Sequence, residues 1–520
     1  MTNQLYDAPT GTSLVFRALR RFPDRTAFAW DGGSLSYAGT LALIGRMQAA
    51  MAAAGLKHGT HIALLSANRV EGWCAGVAAG ALGLVTTWLH PLGSIDDHLE
   101  QIDDGDMDAL VVDVPAYGDR GGHLAARASR LKTVFTLGKA AFGVDLLAAA
   151  EKAGETSARD LANADDYAIL GYTGGTTGKS KGAIRRHRSA AAITPAILAD
   201  FELPKDPRYL AVAPITHVAG TKVTPALTLG GTIHLMKGFD PAKVLATIER
   251  ERINLTLLVP TMIYVLLDHP QLDKTDLSSL ELLLYGASPM SPTRLVEGLE
   301  RIGPVFSQLY GQTECYPISV LRKADHDAKR PELFASCGAP VAGVQVKLLD
   351  DDLSEVAMGQ AGEICVRSPC TIESYWKRPE QTAEAFKGGW LHTGDIARAD
   401  ERGYLYIVDR KKDMIVTGGF NVFPREVEDA LTSHPDVAMA AVIGVPDPKW
   451  GEAVTALIVR KPGGTVEAEA LMRLVKDRKG SQQAPKRVEF VDELPLTAVG
   501  KVDKKVLRRK YWQGKDRMVG

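Results

Sequence analysis

The sequence predicts an α/β protein: a large N-terminal domain of mainly parallel βαβ sheets with a small antiparallel β region, then a small α+β C-terminal domain. Three observations predict it. From residue 60 to about 311, short β-rich runs alternate with amphipathic windows, the pattern of βαβ units. After about residue 340 the β-rich runs follow one another through tight turns instead. A charged knot, Asp409-Arg410-Lys411-Lys412-Asp413, then precedes a tail that reads as helix, strand, strand, helix, strand and helix. A chain of 520 residues exceeds one ordinary core, so two domains are expected, at 1–411 and 412–520.

The first strands are expected over 61–66, 84–89, 109–113, 133–137 and 167–173, and the next over 209–214, 232–237, 255–260, 280–286 and 305–311. The uncharged stretch 73–89 is broken by glycines and falls short of a membrane span, so it reads as a buried helix running into a strand. Between strands, the window 241–253 sets Val244, Leu245 and Ile248 on one helical face. Antiparallel strands are expected over 344–349, 362–368, 396–399 and 404–408, with Glu401-Arg402-Gly403 as a turn. The tail runs from a helix at 424–434 to one at 504–512. Parallel sheets bind ligands at the C-terminal ends of their strands, where Gly286 and Gly311 fall.

Composition is that of a globular protein, with 45% hydrophobic and 24% charged residues. A net charge of −1 gives no global field for nucleic acid or an anionic membrane. The basic run 501–517 suits a helix near a phosphate ligand, although a solvated face is the commoner meaning. Five cysteines, an odd number without C-x-x-C spacing, argue against a disulfide framework and for a reducing, cytoplasmic setting. The N-terminus has neither the basic nor the apolar region of a signal peptide.

The stretch from Tyr172 to Gly182 follows the apolar run Tyr167-Ala168-Ile169-Leu170 and holds three threonines, four glycines and two lysines. Glycine-rich backbone after a strand exposes successive N–H groups as an anion-binding nest. Threonine hydroxyls add donors, and lysines add charge for a polyphosphate. A Walker A loop fits at Gly178-Lys179-Ser180 but fails at its first glycine, where Thr173 stands. A flexible surface loop is the other reading, and threonines among glycines after a buried strand are a poor linker composition.

Further motifs follow in series. They are Pro214-Ile215-Thr216-His217-Val218-Ala219-Gly220, Tyr285-Gly286-Ala287-Ser288, Tyr310-Gly311-Gln312-Thr313-Glu314 and Trp390-Leu391-His392-Thr393-Gly394-Asp395. Then come Gly403 to Arg410, Gly418-Gly419-Phe420-Asn421, and Pro495-Leu496-Thr497-Ala498-Val499-Gly500-Lys501. In this order and spacing the chain resembles, over nearly its full length, the adenylate-forming superfamily: acyl-CoA synthetases, carrier-protein adenylation domains and beetle luciferases.

The resemblance implies an ATP-dependent acid:CoA ligase. A carboxylate attacks the α-phosphate of ATP, pyrophosphate leaves, and the acyl group of the acyl-adenylate passes to the coenzyme A thiol. Both steps build charge that cations and aimed dipoles must offset. Thr173, Gly174, Gly175, Thr176, Thr177, Gly178 and Lys181 would then hold the β- and γ-phosphates. Thr313 and Glu314 match the residues that meet the α-phosphate and Mg2+, which needs few protein ligands when phosphates supply the rest. Gly286, Ala287, Ser288, Tyr310 and Gly311 match the adenine shelf. Asp395 and Arg410 match the ribose contacts. Lys501 matches the lysine that bridges carboxylate and α-phosphate. Lys412 matches the hinge of a mobile C-terminal lid, and Gly418 and Gly419 match the loop that meets the pantetheine arm.

His217 matches a residue lining the acyl pocket and thiol tunnel, and a core histidine is the competing reading. Lys222 is unusual, because the family has apolar or aromatic residues there. The preferred reading turns it to solvent or an acidic neighbour, since lysine is seldom buried unpaired; the other pairs it with a polar group of the acid. Gly174 replaces the family's serine and Ser180 its proline, which puts the rigidity of the phosphate loop in doubt. The acyl pocket is expected around Thr261–Tyr264 and Cys315, Tyr316 and Pro317, for a fatty or an aromatic acid. Loading of a carrier protein is the alternative function, lowered because no carrier domain follows Lys501. A luciferase-like monooxygenase stands behind both. Expected partners are the small carboxylic acid, coenzyme A and a second copy of the chain.

Overall fold

The computed structural model describes residues 7–154, 157–173, 180–288, 290–410, 413–417, 420–496 and 501–512; the side chains of Thr173, Arg410, Phe420 and Asn421 fall outside the description. Among the described residues, the strands form sheets of nine, eight, five and four. The strand runs expected from 61 to 311 all form, and they divide between the two largest sheets. His61–Leu65, Val85–Trp88, Met107–Val112, Thr133–Thr136 and Tyr167–Thr173 enter the eight-stranded sheet as parallel neighbours. Arg208–Ala211, Thr232–Leu235, Leu255–Leu258, Leu282–Gly286 and Phe306–Gln312 do the same in the nine-stranded sheet. Their near-continuous burial follows from parallel geometry, which covers both faces with helices.

The helices between them start where local chemistry allows. Pro241–Arg250 opens on Asp240, whose carboxylate accepts from Lys243 N at 3.1 Å, with proline at the first turn. It buries Val244, Leu245 and Ile248 as expected. The stretch 73–89 is indeed buried helix, Val70–Ala81, running into the strand Val85–Trp88. The main core joins both large sheets through these helices: Phe28 and Tyr209 of one and Ile62 and Leu64 of the other belong to it, and the Phe28 and Trp73 rings lie 5.0 Å apart.

Several strands went unpredicted, and two of them shape the site. Lys181–Arg186 returns antiparallel to Tyr167–Thr173, with Thr173 opposite Lys181. The phosphate-loop sequence therefore lies between two antiparallel strands, whereas a Walker A loop leads into a helix. Cys315–Leu321 likewise returns beside Phe306–Gln312. A Cβ on Gly311 would lie 2.8 Å from Tyr316 Cδ2, so this turn has room for glycine alone.

The four-stranded sheet holds Gln345–Leu349, Gly362–Arg367, Leu391–Ala399 and Leu405–Arg410, all antiparallel. Its last turn closes on Asp400, which accepts from Arg402 N and Tyr404 N, and Gly403 takes φ +82°. The chain then changes sheet between Arg410 and Ile415. The tail follows its expected order, from Pro424–Thr432 through Val437–Asp447, Gly451–Arg460, Ala468–Lys479 and Arg487–Phe490 to Lys504–Arg509, with a short hairpin at Ile415–Thr417 and Phe420–Val422 added. All five cysteines are buried and unbridged. No described helix is long and apolar enough to cross a membrane.

Candidate active site

The C-terminal ends of both large sheets open onto one cleft of about 3340 Å³, several times the ~300–1,000 Å³ of a small-ligand pocket. The four-stranded sheet and the tail line it as well, through Asp395, Asp409, Arg425 and Lys501. Residues expected at the site from six separate motifs thus meet at one opening.

At its centre stand Thr313 and Glu314, in the turn between Phe306–Gln312 and Cys315–Leu321. Gly171 makes room for Thr313, since a Cβ there would approach Thr313 Cγ2 to 3.3 Å. Arg185 holds the turn from below: Nη2 donates to Thr313 O at 2.9 Å, and Nη1 donates to Cys370 O. Arg185 is itself only 7% exposed. Tyr375 Oη donates to Glu314 Oε1 at 2.7 Å, and Lys181 Nζ sits 5.1 Å over the Tyr375 ring. Burial first, then the Glu314 charge, raises the Tyr375 phenol above its ordinary range, so it stays a donor. Sequence reasoning missed Arg185 and Tyr375. The only available signal was a strand pattern after the loop, because Tyr375 reaches the site by pairing Ser374–Tyr375 with Lys181–Arg186.

Tyr310 Oη donates to Asp395 Oδ2 at 2.7 Å, which joins the expected adenine shelf to the expected ribose acceptor. Asp395 is the Cα partner of Arg410 across the strand pair. Glu363 braces the strand just before it: one carboxylate oxygen accepts from Gly394 N at 2.9 Å and the other lies 3.1 Å from His392 Nδ1. With Cys365 these make a three-ligand cluster among the described residues, and Glu363 and His392 also line the cleft. Ala287 and Ser288 line the cleft, Ala287 in the left-handed region at φ +66°. Gly286 departs from expectation. It does not line the cleft, and a Cβ there would fall 2.4 Å from Leu309 O, so its bareness serves strand packing.

Gly174, Gly175, Thr176, Thr177, Gly178, Lys412, Gly418 and Gly419 lie outside the described residues, as do the side chains of Thr173 and Arg410. Lys501 lines the cleft from the tail, one residue before Val502, which bridges to Leu496 ahead of the last helix. Lys504 Nζ to Glu428 Oε1 and Arg508 Nη1 to Asp413 Oδ1, both 2.8 Å, tie that helix down.

The acyl side is bounded by Thr216, His217, Thr221, Thr261, Tyr264 and Tyr316. Cys315 and Pro317 do not reach it: Cys315 is fully buried, and burial pushes its thiol up to about 12. His217 lines the cleft, with Nδ1 2.7 Å from Thr216 Oγ1 and its ring 4.3 Å from that of His90. Burial first, then His90, lowers its pKa to about 3, which makes it a neutral wall. Lys222 overturns the preferred reading: it is 0% exposed and meets Tyr316 Oη and Thr221 Oγ1.

Burial also holds His98 and His326 down to about 4. For His326 burial outweighs the Arg322 carbonyl, which lies 2.8 Å from Nδ1 and opposes the shift, while Nε2 lies 2.9 Å from the Tyr285 hydroxyl. Each of the three takes a proton more readily in the unfolded chain, whose ordinary value is 6.5. Their contribution is full above that value and is lost as pH falls toward the folded values. Denaturant midpoints should therefore drop as pH falls from about 6.5 to 4, with these histidines taking up protons on unfolding. A midpoint flat across that window would contradict the neutral assignments.

The family profile described as AMP-binding enzyme matches residues 15–376, and that of the AMP-binding enzyme C-terminal domain matches 426–501. The medium/long-chain-fatty-acid–CoA ligase FadD8 of Mycobacterium tuberculosis is 44% identical over 100% of this chain and 93% of its own length. The feruloyl-CoA synthase of an Amycolatopsis species is 35% identical over 95% of this chain and 98% of its own. Among solved structures, the amide bond synthetase McbA from Marinactinospora thermotolerans superposes with a TM-score of 0.90 at 35% identity, covering 96% of this chain and 99% of that one.

Proposed function

The chain belongs to the AMP-binding enzyme family, and on that premise we propose that its cleft activates a carboxylic acid with ATP and transfers the acyl group to coenzyme A. The fatty-acid and feruloyl ligases among its relatives support an acid:CoA ligase. The observation that carries the residue roles is the convergence of Thr313–Glu314, Tyr310–Asp395, Lys181 and Lys501 on one cleft.

In the first step a carboxylate oxygen attacks the α-phosphorus. A P–O bond forms, the bond to the bridging oxygen breaks, and pyrophosphate leaves. Lys501 neutralises the incoming and equatorial oxygens, while Lys181 and the threonines of the loop take the leaving charge. Asp395 accepts from the ribose and is held in place by Tyr310. Mg2+ needs hard oxygen ligands, and Glu314 with Thr313 would hold it against the phosphates, where it supplies charge neutralisation. In the second step the thiolate attacks the acyl carbonyl, a C–S bond forms, and AMP leaves with the electrons of the C–O bond. Neutral His217 lines the path without repelling either partner. Lys412 is the hinge between domains 1–411 and 412–520, and Gly418 and Gly419 meet the pantetheine arm after rotation.

The test supplies ATP, Mg2+, coenzyme A and a panel of fatty and aromatic acids, and follows pyrophosphate and thioester. Both products are expected together. Pyrophosphate without thioester would shift the acceptor to a carrier protein, and no pyrophosphate with any acid would end the proposal. Tyr375→Phe removes the donor to Glu314, a charged hydrogen bond of about 1.5–3 kcal/mol. The Mg2+ concentration for half-maximal ATP–pyrophosphate exchange should shift about tenfold in the variant. An unchanged Mg2+ dependence would separate Tyr375 from the ion.

A further inference from the structure

Lys222 is the anomaly of the acyl side. The amine is 0% exposed, behind a wall that Thr221 and Tyr316 present to the cleft. Its Nζ meets Tyr316 Oη, Thr221 Oγ1 at 3.0 Å and Val218 O at 3.4 Å. It also lies 4.5 Å from the centre of the Tyr316 ring and 5.4 Å from that of Phe201. Burial alone acts on the amine and lowers its pKa far below the ordinary lysine range, with no acidic neighbour opposing it. The partner phenol is raised by burial in turn, so burial favours the neutral form of both amine and phenol. Lysine in so apolar a place is rare without an ion to pair with.

The uncharged cluster has a useful degeneracy. The amine carries two N–H donors and one lone pair, and the phenol can give its proton to that lone pair. Tyr316 then offers an acceptor oxygen to the cleft. The bond to Val218 O is the longest of the amine's three contacts, and that carbonyl already accepts from Thr221 Oγ1 at 2.7 Å. The amine can therefore turn an N–H to Tyr316 Oη and release the phenol proton toward the cleft. A plain hydrocarbon would leave this polar wall without a partner, and an oxygen group of either polarity would satisfy it. Thr224, which also lines the cleft, extends the polar strip.

We propose that the Lys222–Tyr316–Thr221 cluster determines specificity, selecting acids that carry a hydroxyl, carbonyl or second carboxylate away from the reacting carboxyl group. The proposal rests on the acid:CoA ligase reading. Tyr316 and Thr221 make the contact, and Lys222 sets the polarity of Tyr316 as a positioning residue.

The experiment compares matched acids with the full-length enzyme: each straight-chain or phenylalkanoic acid against its hydroxy, oxo and ω-carboxy counterparts, the oxygen moved one carbon at a time. At the favoured position the oxygenated acid should exceed its plain counterpart at least about tenfold in kcat/KM for ATP–pyrophosphate exchange. In Lys222→Met and Tyr316→Phe that ratio should collapse toward one. A ratio taken within one preparation is insensitive to the fraction folded, so a purely structural loss leaves it unmoved. The comparison of hydroxyl, oxo and carboxylate members tells which oxygen group is read. Wild-type preference for the plain acid throughout, or an unchanged ratio in both variants, overturns the proposal while the ligase reading stands. Failure to activate any acid overturns the ligase reading, and this proposal with it.

Discussion

Lys501→Ala should abolish acyl-adenylate formation while sparing thioester formation from pre-made adenylate. The expected loss in the first half-reaction is about 10²–10³-fold, the cost of removing one preorganised donor from developing oxyanion charge. The second half-reaction should stay within a few-fold, because it displaces AMP at the acyl carbon and builds no new charge at the α-phosphorus. The last helix is tied down independently of Lys501, through Lys504 to Glu428 and Arg508 to Asp413, and its N-cap Asp503 accepts from Lys505 N and Val506 N. The variant should therefore fold normally, and thermal midpoints check that. Lys412→Pro is the mirror experiment: restricting backbone torsion at the proposed hinge should damage thioester formation more than adenylation. If each variant harmed both half-reactions equally, the division of labour between two lid positions would be wrong.

Arg185→Met should lower both stability and adenylation. Its guanidinium donates to two carbonyls at once, the buried Cys370 O and Thr313 O on the turn. Each buried acceptor left without a donor costs on the order of 1–3 kcal/mol. Thr313 and Glu314 sit on the segment it supports, and displacement of a positioning group by about 1 Å can cost roughly 10²-fold in rate. Arg185→Lys should not rescue, because a single ammonium does not reproduce the planar fork that spans both carbonyls. Measured as ATP–pyrophosphate exchange against thermal midpoint, a folded Arg185→Met enzyme with wild-type exchange would reduce Arg185 to packing.

Much of this was legible along the chain. Buried parallel strands such as Leu255–Leu258 and Leu282–Gly286 announce themselves because both faces are covered and the run is apolar throughout. Pro241–Arg250 was readable from its capping aspartate, first-turn proline and one apolar face. The strand Lys181–Arg186 was not, since half of it is basic and its burial comes from lying against Tyr167–Thr173 and Ser374–Tyr375. Gly286 was assigned to the ligand and serves the neighbouring strand. Lys222 was turned outward on general grounds, and a tyrosine 94 residues later holds it inside.

By itself the sequence determined the order of elements, the family's motifs and the residue types able to handle phosphate, because capping, periodicity and glycine chemistry act over a few neighbouring positions. Only the tertiary structure decided that Arg185 carries Thr313, that Tyr375 holds Glu314, that Tyr310 joins Asp395 and that Lys222 is sealed behind Tyr316. Each of these contacts links residues 61–128 positions apart. Their distances follow from how two sheets and the helices between them close on one cleft, and no local pattern encodes that closure.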